Sequence, residues 1–180
     1  MPTRLAGLDY ALLGLLGAGP ASGYDLRKIF QDTPLGMYSD SPGSIYPALR
    51  RLEARGLIAG HRARGAVRRR RTLSLTRQGR TELRQWLSTP LTADQVTRDR
   101  GEADLRLAFL SDHVAPGVVR AFLRGYAGLL DERRRRVVAA RAALTHRLPP
   151  SARLALELGL VTIGARAAWC RRAASRKLEP

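Results

Sequence analysis

The sequence has one cysteine, Cys170. No intrachain disulfide can form and no cysteine-rich metal site exists, which fits a reducing, cytoplasmic setting. Histidine is nearly as scarce. His61, His113 and His146 are scattered without metal-ligand spacing, and Cys170 has no activating base nearby in sequence. Despite 17 glycines there is no phosphate-cradling loop and no dinucleotide-binding motif. These gaps argue against an enzyme, and no cofactor or catalytic residue is expected. Aromatics are also few: three Phe, two Trp and five Tyr, with no aromatic strand on which exposed bases could stack. No run reaches 18 uninterrupted apolar residues, so nothing spans a bilayer and no membrane-embedded role is expected. The start, MPTRLAGLDYALLGLLGAGP, has too short an apolar core for a signal peptide and leads straight into GPASGYDL, so the mature protein is expected to be essentially the full chain.

Acidic side chains are the remaining shortage. Fifteen Asp and Glu face 32 Lys and Arg, a formal net charge of +17, which favours a polyanionic partner, whether DNA, RNA or an anionic membrane surface. With 44% hydrophobic residues over 180 positions, the chain can bury one good-sized core or two small ones.

Periodicity places the elements. Leu5, Leu8, Leu12, Leu15 and Leu16 share one face of a helix over about 5–17, which Gly17, Gly19 and Pro20 end. Ser22 is a good N-cap, with Asp25 completing an approximate capping box, for a short helix carrying Leu26, Ile29 and Phe30. Residues 31–40 read as a loop. In SPGSIYPALRRLEARGLI (41–58), Ile45, Leu49 and Leu52 form an apolar side and Gly56 suits the stop. That helix could start at Ser41 with Pro42 first, or at Ser44 so that Pro47 falls within the first turn and costs no internal hydrogen bond. Leu57–His61 and Arg71–Leu75 are strand candidates joined by a hairpin with Gly65 at its turn, and Thr76 can cap a fourth helix bearing Leu83, Trp86 and Leu87.

The fold class expected is mostly α with a small β-hairpin: a winged helix-turn-helix over 1–89, a linker over 90–98 and a helical dimerisation module over 99–180. Another small α+β domain fits the local pattern of the first part as well. The second part carries helices near 99–112, 116–146 and 151–174. The arginine run Arg133–Arg136 is expected to mark a bend or a charged region in the long one. On the last helix Leu154, Leu158 and Val161 cover one side and Leu156, Leu160 and Ile163 another. Burial of both sides calls for a partner subunit or for a sandwich between two helices of the same chain; Leu156, Leu160 and Ile163 are the interface candidates.

The 41–56 helix leaves Gly43, Pro47, Arg50, Arg51 and Ala54 pointing outward, with Ser44 and Tyr46 on the flanks. Arginines engage phosphates or offer guanine a two-donor fork, while Tyr46 and Ser44 can donate to phosphates. A tyrosine beside the core and two solvated arginines would be the plain alternative. The next stretch shifts the balance, because Arg55–Arg71 holds seven arginines and no acidic residue. Like charges so concentrated call for solvent or a polyanion, and a hairpin could set Arg64, Arg68, Arg69 and Arg70 against phosphates. A protruding helix beside a basic hairpin suits duplex DNA better than RNA.

At these residues the chain resembles the PadR family of transcriptional regulators. The matching pieces are ALLGLLGAGPASGYDLRKIF at 11–30, SPGSIYPALRRLEARGLI at 41–58 and LSLTRQGRTEL at 73–83. The resemblance implies a homodimeric winged-helix repressor on a near-palindromic double-stranded operator, with 44–55 as recognition helix and 59–72 as wing. It implies that Ser41, Ser44, Tyr46 and Pro47 form the helix entry, Gly23 and Tyr24 belong to the second helix, and Arg68–Arg70 form the basic wing. Leu73 departs from the aromatic residue often found two positions before the Leu-Thr pair. A small planar or apolar effector is a further implied partner, and Trp86, Phe109, Phe122, Tyr126 and Trp169 are candidate lining residues. When bound to DNA, such a protein is nucleoid-associated. A nonspecific architectural DNA-binding protein is the alternative.

Overall fold

A computed structural model describes residues 5–39, 41–62, 71–98, 100–144 and 148–176. By internal contacts the chain divides into two units, Met1–Leu87 with Leu105–His113, and Ser88–Asp104 with Val114–Pro180.

The first unit starts with α1 (Gly7–Ala18), followed by β1 (Ala21–Ser22) and α2 (Gly23–Asp32). Asp9 accepts the Ala6 N–H at 2.9 Å and so caps the start of α1. Ser22 and Asp25 form the expected capping box: the Asp25 N–H donates to Ser22 Oγ and the Ser22 N–H to Asp25 Oδ2, each at 3.2 Å. A 3-10 turn at Pro34–Met37 interrupts the stretch read as loop, and α3 spans Pro42–Ala54. The start of α3 is the Ser41 option, with Ser41 Oγ accepting the Gly43 N–H at 3.2 Å. Pro42 at the first helical position supplies a fitting φ, which favours this start. Pro47 then lies inside the helix, where it has no N–H for the Gly43 carbonyl, but Gly43 is exposed and that carbonyl is left to solvent.

A Gly56 φ of 68° turns the chain out of α3 into β2 (Ile58–Arg62), and β3 is Arg71–Leu75. The expected hairpin pairs Ile58 with Leu75 through to Arg62 with Arg71. It gains a third strand that hydrophobic pattern could not signal, because β1 is two residues long; it pairs Ala21 with Leu73 and Ser22 with Thr72, giving the antiparallel order β1-β3-β2. Thr76 caps α4 (Arg77–Ser88), accepting the Gly79 N–H at 3.0 Å and donating to the Gly56 carbonyl at 2.7 Å. A methyl at Gly79 would drive into the Leu57 carbonyl, so glycine lets α4 lie directly on the strand entry.

The core of this unit is Leu12, Leu13, Leu16, Leu26, Phe30, Ile45, Leu52, Ile58, Leu83 and Leu87. Trp86 stacks on Tyr10, ring centroids 4.2 Å apart and 7° from parallel. Residues 105–113, the end of α6 (Arg100–His113), belong here too: Arg106 lies 5.0 Å over the Trp86 ring, and Phe109 packs face-on against Gly14.

The second unit contains α5 (Ala93–Arg98), α7 (Pro116–Leu144) and α8 (Pro150–Ser175). The stretch 90–98 expected as a linker thus holds α5, capped by Thr92 and Gln95: the Thr92 N–H donates to Gln95 Oε1 at 2.9 Å and the Gln95 N–H to Thr92 Oγ1 at 3.2 Å. Val96 is buried beneath it. α7 runs without a break through Arg133–Arg136; Arg133 donates to the Val96 carbonyl at 2.6 Å and Arg136 pairs with Glu132 at 3.6 Å, one turn back on the same helix. α7 and α8 pack against one another. Among the described residues no helix is long and apolar enough to cross a membrane.

Candidate nucleic-acid interface

The side division of α3 follows its sequence. Ile45, Ala48, Leu49 and Leu52 are buried, while Ser41, Ser44, Tyr46, Arg50 and Arg51 are exposed and Pro47 is half-buried. A helix whose outer edge offers hydroxyls and a guanidinium can meet base edges and phosphates together. Arg50 has no hydrogen-bond or ion-pair partner among the described residues.

Arg51 differs from its neighbour. It donates to Asp9 Oδ1 at 3.2 Å, and the Asp9 side chain is only 7% exposed. One carboxylate therefore caps α1 and holds α3 beside it. Arg51 is a clasp between two helices, a role that the sequence reading did not give it.

At the start of α2, Tyr24 is 55% exposed, and the missing side chain of Gly23 admits the ring of Tyr46: a Cβ there would sit 2.9 Å from Tyr46 Cε1. The two tyrosines consequently stand on the same cleft, together with Leu49, Arg50 and Leu73. Leu73 is buried and fills the apolar place between strands.

Glu53, the single acidic residue in 41–75, binds the wing's base to α3. It pairs with Arg71, whose guanidinium crosses over Gly60; a side chain at Gly60 would collide with it. The Arg71 hydrogen bond, helped by the Gly60 N–H and set against the cost of desolvation, holds the Glu53 carboxyl below its ordinary range, and Arg71 is raised in turn. A depressed carboxylate stabilises the fold above its unfolded pKa, and that contribution is lost as pH falls through its folded value. The wing base is expected to open only as pH falls below the usual glutamate range. The protection of the Gly60 amide, relative to its intrinsic exchange rate at each pH, should therefore fall in acid, and Glu53→Gln should show the lower protection at neutral pH as well. Equal exchange in both proteins across that range would remove the clasp. The signal for Glu53 was available in sequence, as a lone acid in an arginine-rich stretch. The wing residues Arg64, Arg68, Arg69 and Arg70 lie outside the described residues.

The other predicted residues separate. Trp86 and Phe109 are buried in the first unit, whereas Phe122, Tyr126 and Trp169 belong to the second. Phe122 and Tyr126 line a cleft of about 340 Å³ with Pro90, Leu91, Val118 and Leu129. Burial pushes the Tyr126 hydroxyl up in pKa, against the lowering pull of Arg166, which donates to it at 3.2 Å. Arg166 also makes a two-pronged contact with Asp104 at 2.8 and 3.0 Å, and this raises its own pKa. Burial likewise pushes the Cys170 thiol up to about 11, so it stays protonated at neutral pH.

On α8, Leu160 and Ile163 are buried within the chain itself and Leu156 is half-buried. The large apolar groups left open are on the other side: Leu154, Leu158, Val161 and Trp169.

Comparison with known proteins matches residues 12–85 to the transcriptional regulator PadR-like family. The negative transcriptional regulator PadR of Bacillus subtilis is 32% identical over 105 residues, covering 58% of this chain and 57% of its own length. Transcriptional regulator YqjI of Escherichia coli is 30% identical over 126 residues, covering 70% of this chain and 56% of its own. The chain thus spans little more than half the length of these curated relatives. A crystal structure of Bacillus subtilis PadR in complex with operator DNA is similar over 96% of this chain and 98% of that one, with 23% identity and a TM-score of 0.45. The matched stretch holds the second half of α1, the capped α2, the outward edge of α3 and the strands beside it, so that residues 12–85 carry a PadR-like transcriptional regulator domain.

Proposed function

We propose that the chain is a sequence-specific double-stranded DNA-binding transcriptional regulator, acting as a homodimeric repressor on an inverted repeat. The observation that carries this reading is the outer edge of α3, where Ser44, Tyr46 and Arg50, which has no partner among the described residues, stand clear of a core made by the same helix. The chain's excess of 17 positive charges supplies attraction to the phosphates. Repression is favoured by the description of the Bacillus subtilis relative as a negative regulator. The cleft at Phe122 and Tyr126 suits a small planar or apolar effector, which regulates if it prefers one arrangement of the two heads over another. The place of action is the cytoplasm, at the nucleoid while DNA is bound.

Enrichment of genomic DNA fragments on the protein, scored for a symmetric motif, tests the reading. A regulator retains a strong preference for one operator as salt rises, and an architectural binder loses all duplexes alike. Arg50→Ala is expected to lose about 1–3 kcal/mol on the operator and much less on a duplex altered at the contacted base, the signature of a bidentate base contact. Equal losses on both duplexes would assign Arg50 to a phosphate.

A further inference from the structure

α4 carries a row of arginines that the fold leaves unused. Arg77, Arg80 and Arg84 follow one another at steps of three and four residues, on one side of the helix, and each is exposed. The other side, with Gly79, Leu83, Trp86 and Leu87, is buried. None of these guanidiniums has a hydrogen-bond or ion-pair partner among the described residues. Acid is scarce around them. From Ala54 to Thr81 the sequence has no Asp or Glu, and the acids bounding that stretch are engaged: Glu53 pairs with Arg71, and Glu82 accepts the Tyr10 hydroxyl at 2.9 Å.

The row also works against its own helix. The first turn of α4 has no acidic residue, and Arg77 opens it with Arg80 close behind. Both lie near the positive end of the helix dipole, where a cation destabilises. Charges held at a cost to the fold mark a surface kept for binding. Position narrows the choice of partner. Thr76, the cap of α4, donates to the Gly56 carbonyl at 2.7 Å, so the row starts beside the end of α3. Seven residues of helix rise about 10 Å, which matches roughly three base-pair steps of a duplex.

We propose that α4 is a further DNA-contacting element beyond the outer edge of α3, in which Arg77, Arg80 and Arg84 hold successive phosphates of one strand. The row reads no bases. It sets how tightly any duplex is held, whereas α3 sets which duplex is preferred. This inference rests on the DNA-binding reading above and adds a contact surface to it.

The test replaces Arg77, Arg80 and Arg84 together by glutamine in the full-length protein. Binding is measured on the operator and on a random-sequence duplex of equal length. The expected loss is about tenfold on both, as loss of a few exposed ion pairs implies, with the preference for the operator unchanged. Hydroxyl-radical protection should vanish at one short patch in each half-site and persist elsewhere. Replacement of the same residues by lysine should restore affinity, because a phosphate accepts a point charge. The thermal midpoint of the glutamine variant should equal or exceed that of the wild type, since repelling cations leave the helix start. Undiminished affinity of the glutamine variant would overturn the proposal, as would a loss confined to the operator or one that lysine fails to restore. Binding of poly-glutamate that the glutamine variant loses, while DNA affinity holds, would give the row to an acidic protein instead. A protein with no preferred operator, yet with the tenfold loss on the random duplex, would defeat the regulator reading and leave the row in place.

Discussion

Leu158→Glu is expected to convert the protein from a dimer to a monomer of 19.8 kDa in sedimentation equilibrium. Leu154, Leu158, Val161 and Trp169 are 68, 69, 62 and 44% exposed, and their spacing of four, three and eight residues keeps them on one side of α8. The opposite side, with Leu160, Ile163, Ala167 and Cys170, is already buried within the chain. An apolar row of this kind is covered when the same row of a second copy lies against it, and a two-fold arrangement needs no other partner. A glutamate on each copy would bury two like charges there. Operator affinity should fall by about 10²–10⁴, since the second head no longer binds as a tethered neighbour. The thermal midpoint of the isolated monomer should hold, because Leu158 makes no core of its own. Persistence of the dimer in Leu158→Glu would dismiss this face. This prediction sets the interface on the half of the helix opposite Leu156, Leu160 and Ile163, the candidates named from sequence.

Phe109→Ala is expected to destabilise the protein by about 3–5 kcal/mol. Phe109 is buried in the first unit and its ring lies against Gly14 of α1, where an added Cβ would come within 2.5 Å of it. Truncation leaves a hole the size of a ring. The converse change, Gly14→Ala, over-packs the same place and should cost about 1–3 kcal/mol. The double variant is the informative one. With the ring gone, the new methyl has room and fills part of the hole, so the two losses should sum to more than the double loss by about 1 kcal/mol or more. Urea unfolding of all four proteins measures the cycle. Strict additivity would mean that the residues do not touch. A ligand-lining role for Phe109 would instead leave stability nearly unchanged.

Much of the first unit was legible in the residues because its signals are local. Ser22 with Asp25, Thr76 before α4, and the apolar side of α3 each depend on neighbours within one helical turn. β1 was not legible, since two residues carry no period. Thr92 and Gln95 did carry a signal for α5, but Pro90 and the polar composition around it looked like a connector. What sequence could not separate was two arginines side by side. Arg50 and Arg51 have the same chemistry, and only the position of Asp9, 42 residues away, gives one of them a partner. The two sides of α8 were equally ambiguous: periodicity found both, while the choice of which faces α7 belongs to packing.

The pairing of Glu53 with Arg71 bears on how many counterions DNA can release. An arginine holding a carboxylate of its own chain condenses no phosphate charge until that bond is broken. In the proposed DNA complex Arg71 enters already neutralised, and the salt dependence of binding should count one cation fewer than the arginines of the wing.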